Sequence, residues 1–576
     1  MGIDIINQAQ MIQAFNSDPR YVYQMNKDFF KRDDNDIIHY LEQLYLSIQK
    51  TMGVDAYFTI KIESFDIVED YASIKHILEK HQNANIQKSV KLRGNTDNRY
   101  SYIDLKESDV KLLLINIFTE AYDGKDRFET VLAVPRIINN QYIVLNGNVR
   151  LMMYQLVDAS TYNNQTSNAK NPMVVFKTNF PPIRVYRNSY TLHTITNEDI
   201  EAISFDCNVF SKSLPACEYI FAKMGLIKGL YFLGLDGLIW INTVLPRNID
   251  NYYVFQPKKA TELYVAVPRM MYDSNNVLQH VVYTICLELS RKFMLYENIN
   301  SDDAWLEALG RHFTLTDPCR KATSVLSSFE MTYDLMTREI TRLDENDMRD
   351  SYTILRWLIY EYSALILKSN LDVYQKRIRT SEYIAYLIAP KLSKAVYALS
   401  DMGERVNTIS IKKRIQLPYD YLLGEIGKQP IVVFNDTITD CDSFAAIRYS
   451  RNGPSAISEG NANASMPMIY RYLHPTSLGI LDDCASGNSA PGIAGILCPL
   501  SKVYPGGYFK PDYKEPSEWR RILIEQREKY EKSINEIQAL NFRNRILEDS
   551  SVPELKVNDF VLTEEDRIRL LATANR

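Results

Sequence analysis

Three arginines and three tyrosines crowd one stretch of this chain. Arg448, Arg451 and Arg471 alternate with Tyr449, Tyr470 and Tyr472, and the segment between them, which opens on Asn452-Gly453-Pro454, is rich in Gly, Ser and Asn. Guanidinium groups take phosphate through paired N–H donors, aromatic faces stack on bases, and small residues let a backbone approach a ligand closely. The chemistry on offer is contact with a nucleic-acid strand. His474, the only histidine of the stretch, lies in His474-Pro475-Thr476, where its ring can hold a turn by hydrogen bonding. Composition alone also fits an ordinary surface loop, so spacing and order must decide.

Self-contained active sites are missing from the sequence. It has no Walker loop, no Gly-x-Gly-x-x-Gly turn, no His-Glu-x-x-His helix and no Gly-x-Ser-x-Gly elbow. Asp482-Asp483 and Glu564-Glu565-Asp566 could bind a divalent cation, but adjacent surface carboxylates more often form a solvated face. No catalytic residue and no metal ligand is assigned.

The formal charge of -5 gives no global positive field, so any nucleic-acid contact is local or supplied by partners. Seven scattered cysteines without a Cys-x-x-Cys pair point to reduced thiols in a cytosolic compartment, most of them in the core. The most apolar stretch, 226–245, is interrupted by Lys228, Asp236 and Asn242, and the first ten residues lack a basic and apolar signal, so neither membrane spanning nor secretion is expected. Tyr at 39 against Gly at 21 is a bias shared with A/T-rich codons and carries no function by itself.

The elements that must position the arginines are legible in outline. At 576 residues the chain exceeds one core, and its patterns predict a multidomain α+β protein. Helical spacing at 36–49 and alternation at 56–62 open the first domain. Its clearest hairpin joins Tyr142-Ile143-Val144-Leu145 to Arg150-Leu151-Met152-Met153 through Asn146-Gly147, the dipeptide suited to a type I′ turn. The polar run 162–172 predicts a loop or linker. Helical signatures dominate 212–368, notably 276–295 and 348–367. Short strands among long loops follow Pro430, and Ser517 N-caps a charged amphipathic helix over about 517–548.

The order of motifs resembles the β subunit of multisubunit, cellular-type RNA polymerases. Arg448, Ser450, Gly453-Pro454, Arg471, His474-Pro475-Thr476 and Gly479 stand in the places of the fork motif. Residues 135–156 are similar without gaps to the protrusion motif of an Asn-Gly turn, an Arg three residues on and then Gln-Leu. Ser213-Leu214-Pro215-Ala216 with Met224-Gly225 resembles a lobe segment, and Lys376-Arg377-Ile378-Arg379-Thr380 the step back from lobe to protrusion. Pro491 to Ile496 resembles the segment after the fork, and 562–575 the stretch preceding the domain with active-centre residues. The resemblance implies a protrusion at 1–160, a largely helical lobe at 161–376, a return to the protrusion at 377–434, and a fork with its following segment at 435–576.

Departures refine these expectations. Ser455-Ala456 and Ser458-Glu459-Gly460-Asn461 replace the family's glycine pair and Arg-rich tip, which puts the tip's contacts at the downstream DNA edge in doubt. The family's Cys-Pro-x-Glu-Thr-Pro-Glu-Gly run is reduced to 482–490, and the helix at 517–548 resembles an insertion. The chain stops before the family's catalytic lysines, so it is similar to the split subunits of giant-phage RNA polymerases. The resemblance then implies a non-catalytic chain forming one wall of the DNA channel, with Arg448, Arg451, Asn452, Gly453, Arg471, His474 and Thr476 near nucleic acid or positioning the fork. Mg2+ would be held by a β′-type partner, and the chain itself would hold no cofactor. Implied partners are the C-terminal half of β, β′-type subunits, a promoter-specificity factor, template DNA, RNA and nucleoside triphosphates. The expected place is the cytoplasm of an infected bacterium, or the virion. The rival is a phage structural or scaffolding protein.

The rifamycin pocket of bacterial enzymes would fall between Phe434 and Arg448, and an ungapped reading puts Asn435 and Ala445 where the family has Asp and His. Transcription by the assembled enzyme is therefore expected to continue at rifamycin levels that stop a sensitive host polymerase. Inhibition at those levels would contradict the alignment.

Overall fold

The computed structural model describes residues 33–50, 57–79, 108–138, 142–159, 161–164, 173–178, 180, 182–208, 212–246, 249–257, 262–291, 298–341, 348–369, 371–434, 448–451, 474–482, 494–498, 501 and 503–509. These all belong to a unit spanning Met1–Glu515; a second unit, Pro516–Arg576, on which the expectation of a charged helix at 517–548 falls, lies outside the described residues. The fold is α+β, as the patterns predict.

One core gathers residues from both ends of the described chain. The helix Asp34–Ser47 starts where the Asp33 carboxylate accepts the Asn35 N–H, and buries Ile37, Ile38, Leu41, Leu44 and Tyr45 along one stripe. Against it lie the antiparallel strands Thr59–Val68, Val110–Ala121 and Gly124–Pro135, whose inward residues include Leu112, Leu113, Ile115 and Leu132. The same core takes in the later helices Ala385–Met402, Thr408–Ile415 and Tyr421–Gly427 through Leu392, Ile411 and Leu422. The chain thus leaves this core and comes back. Asn146 and Gly147 both adopt positive φ, 52° and 70°, and close the expected hairpin between Tyr142–Leu145 and Asn148–Met152. Val432–Phe434 extends that hairpin as a third strand.

The larger core is assembled from the intervening chain. Five antiparallel strands, in the order Ser213–Pro215, Asp199–Asn208, Ile183–His193, Met173–Phe176 and Thr161–Asn164, pack beside the helices Ala216–Met224, Asn276–Leu289, Asp302–Arg311, Pro318–Glu330 and Ser351–Tyr360. The sheet corrects the expectation of a polar loop at 162–172 for its first three residues, and 165–172 lie outside the described residues. Tyr162, Asn163 and Asn164 pair with Val175, Val174 and Met173, because cross-strand bonding outweighs the poor strand propensity of asparagine. The expected helix at 276–295 is observed as Asn276–Leu289, and that at 348–367 as two helices, Ser351–Tyr360 and Tyr362–Ile366, separated at Glu361. Among the described residues no helix is long and apolar enough to cross a membrane. Cys207, Cys217 and Cys286 are buried as free thiols.

Lys50 ties the two cores together. Its ammonium is bonded to Ser327 Oγ on Pro318–Glu330, and lies 2.9 Å from Ser400 Oγ on Ala385–Met402. A cavity of about 530 Å3 adjoins this seam, lined by Lys50, Lys223, Asp302, Ser327 and Glu330 among others. Burial pushes the Lys50 pKa down to about 8, with the Glu330 charge only partly opposing it. The folded state therefore holds fewer protons than the unfolded chain between pH 8 and the ordinary lysine value of 10.5, and stability rises with pH across that window. Below it the buried cation costs its full desolvation. Lys50→Met is expected to raise unfolding stability near pH 7 by about 2 kcal/mol and to flatten the rise above pH 8. Denaturant unfolding over pH 6 to 10 checks this, and a destabilised variant would show the hydroxyl contacts to outweigh burial.

Candidate functional site

A second five-stranded sheet collects pieces of chain that are far apart in sequence. Its order is Lys376–Arg379, Tyr154–Asp158, Arg448–Ser450, Ala494–Leu497 and Leu481–Asp482. Tyr154–Asp158 continues from the Asn-Gly hairpin and pairs antiparallel with the basic step, Lys376 opposite Asp158 and Arg379 opposite Gln155. On its other side it pairs parallel with the start of the arginine-rich stretch, Tyr449 opposite Tyr154 and Ser450 opposite Gln155. Ala494–Leu497 then pairs antiparallel with Arg448–Ser450. Tyr154, Leu156, Ile378, Tyr449, Leu481, Leu497 and Phe509 bury a small core beneath these strands. Full burial of each large apolar side chain contributes roughly 1.5–3 kcal/mol, enough to fix the alternation of faces.

Alternation decides where each cation goes. Arg448 projects from its strand and is exposed, whereas Tyr449 next to it is buried and Arg451 is 8% exposed. Of the other expected site residues, Asn452, Gly453 and Arg471 lie outside the described residues. His474 caps the short 3-10 turn Pro475–Ser477. Its Nδ1 lies 2.8 Å from Thr476 Oγ1, and that hydroxyl donates to Asp372 Oδ1 at 2.9 Å while accepting the Val373 N–H at 3.0 Å. His474 and Thr476 therefore clamp the turn onto the chain just before the basic step. Asn435 and Ala445 of the expected drug pocket lie outside the described residues.

The densest charge in the sheet was not foreseen as a site. Lys376, Arg377 and Arg379 are all buried, at 5%, 3% and 2% exposure. Lys376 Nζ meets Asp158 Oδ1 at 2.5 Å, and Arg377 Nη2 donates to Glu382 Oε1 at 2.5 Å. Arg379 donates to Gln155 Oε1 at 3.3 Å and lies 4.0 Å from the centre of the Tyr386 ring. Burial opposes charge on both arginines. At Arg377 the Glu382 carboxylate more than offsets it and the pKa moves up; at Arg379 burial prevails and the pKa moves down. Gly507, at φ +84°, lets the chain cross this strand, since a Cβ there would stand 2.0 Å from the Ile378 carbonyl oxygen. The sequence signal was available in Asp158 at the end of the hairpin and Glu382 three residues beyond Arg379, but only pairing reveals it.

These pairs are structural, because cation and carboxylate are each at least nine-tenths buried and face one another. Glu382→Ala, which strands Arg377, is expected to cost about 3–5 kcal/mol in denaturant unfolding, whereas Arg448→Ala should stay within about 0.5 kcal/mol. Equal losses would show Arg448 to be a structural residue as well.

The described residues contain one group with metal-ligand geometry, Glu218, Glu288 and His312 in the larger core. Among the described residues the five-stranded sheet that carries Arg448 has none. It offers a hydrogen-bonded support with an exposed guanidinium at the start of its central strand. A family model described as "non-virion RNA polymerase subunit" matches residues 4–519, most of the chain. No curated protein matches it. That match covers most of the sequence, and the chain belongs to the family of non-virion RNA polymerase subunits.

Proposed function

We propose that this chain is the N-terminal portion of a split β subunit, with protrusion, lobe and fork, in a phage-encoded polymerase. The observation that carries the reading is the five-stranded sheet. Four segments that resemble β-subunit motifs on sequence alone, those around 154–156, 376–379, 448–450 and 494–496, are hydrogen-bonded neighbours in it. Accidental matches have no reason to be adjacent in space.

The remaining architecture fits this reading. A core built mainly from residues 37–152 and 383–432, joined by Phe180 and Met336 from the intervening segment, and a second core within 174–365 fit a protrusion with an inserted lobe. Together they would form one wall of the DNA channel. Arg448 would face the nucleic acid, and Arg451, Asn452, Gly453 and Arg471 would complete the fork near the RNA:DNA hybrid. His474 and Thr476 would hold its base in place. Nucleotidyl transfer needs metal ions to activate the RNA 3′ hydroxyl and clamp the triphosphate. In this reading a β′-type partner holds that Mg2+, the C-terminal half of β supplies the active-centre basic residues, and a further factor chooses the promoter. The family description, non-virion, favours an enzyme made in the cytoplasm of the infected cell over one packaged in the particle. The same membership argues against a scaffolding role.

Expression of the tagged chain together with candidate β′-type and C-terminal β chains tests the proposal. The tag is expected to recover a large complex that extends a primed RNA on a DNA template, with the chain alone inactive. Extension by a complex lacking this chain, or failure to assemble, would contradict the assignment.

A further inference from the structure

Two carboxylates of the larger core are buried without the hydrogen bonds that burial normally demands. Glu218 lies in the first turn of Ala216–Met224 and Glu288 near the end of Asn276–Leu289, with side chains 2% and 0% exposed. None of their four oxygens accepts an aligned hydrogen bond. His312, which caps Asp302–Arg311, brings Nε2 to 2.8 Å from Glu218 Oε2 and 3.8 Å from Glu288 Oε1. One ligand atom from each of the three side chains falls within 4.8 Å of the others.

Glu218 and His312 are close enough for an ion pair but lack the alignment of a hydrogen bond. At 2.8 Å a carboxylate hydrogen-bonded to Nε2 would lie along the N–H axis, yet no such bond is aligned. Two ligands of one metal ion stand in just that relation, close together while both aim at a third point. A cation already marks the point. Arg291 Nη1 lies 2.7 Å from His312 Nε2 and 2.7 Å from Glu288 Oε1, on a side chain that is 27% exposed and so has a route outward.

We propose that Glu218, Glu288 and His312 form a divalent-cation site of the zinc class that joins three helices of the lobe, with Arg291 as the competing cation. A dication and a neutral imidazole balance the two carboxylates, so displacement of Arg291 to solvent leaves the buried cluster neutral. Imidazole nitrogen with carboxylate oxygens, held in a dry core, suits Zn2+ better than Mg2+, which prefers oxygen ligands and retains its waters. The site depends on nothing in the polymerase assignment.

The test uses the full chain, stripped with chelator, equilibrated with ZnCl2 and desalted, with zinc measured by mass spectrometry and stability by thermal unfolding. The wild type is expected to hold about one equivalent and to gain about 2–4 °C. His312→Ala and Glu288→Gln should lose both effects, and Arg291→Gln, which keeps every ligand, should bind roughly tenfold more tightly. Zinc retained equally by His312→Ala would place it on cysteines and overturn the proposal. So would a wild type and Arg291→Gln that both bind none.

Discussion

Three buried cations hold together the five-stranded sheet that carries Arg448. Lys376, Arg377 and Arg379 pay for their burial only while Asp158, Glu382 and Gln155 face them, and those partners come from a different strand or from the turn that follows. Register is thereby locked: a slip by one residue between Tyr154–Asp158 and Lys376–Arg379 would leave charges unpaired in a dry interior. Everything attached to this pair inherits its position. The arginine-rich stretch begins on the far side of Tyr154–Asp158, and the His474 turn is clamped to Asp372, a few residues before the basic strand.

In the proposed reading, in which this chain supplies support and its partners the chemistry, such a base matters. An arginine meant to meet a phosphate must be held at the edge of something rigid, since positioning a mobile guanidinium costs conformational entropy on each encounter. Arg448 has that support, with Tyr449 buried beneath it and strands on both sides. The two larger cores meet at a different kind of contact. Lys50 bridges them through the hydroxyls of Ser327 and Ser400, next to a cavity and at a desolvation cost to its ammonium, beside the Lys321–Asp401 ion pair between the same two helices.

Much of the local structure was legible in the residues. The Asn146-Gly147 turn, the apolar stripe of Asp34–Ser47 and the helix at 276 follow from dihedral preference and periodicity. The order of the fork motifs was readable too, and it led to the polymerase family. Pairing was not legible. Nothing in Arg448-Tyr449-Ser450 announces that it runs parallel to Tyr154–Asp158, because a parallel partner is set by the intervening fold. The basic step shows its partners only in the fold, Asp158 on the paired strand and Glu382 in the turn that follows. The strand at Thr161–Asn164 was hidden by asparagines that score as loop, and Glu218, Glu288 and His312 are scattered through helices whose packing alone brings them together.

The central claim is that this sheet presents Arg448 to nucleic acid inside a working polymerase. The most direct measurement replaces Arg448 with a photo-crosslinking residue in the assembled enzyme, stalled on a template with a labelled transcript. The account predicts crosslinks to template or RNA that disappear when the transcript is released. Crosslinks confined to protein chains, in an enzyme that transcribes normally, would contradict it.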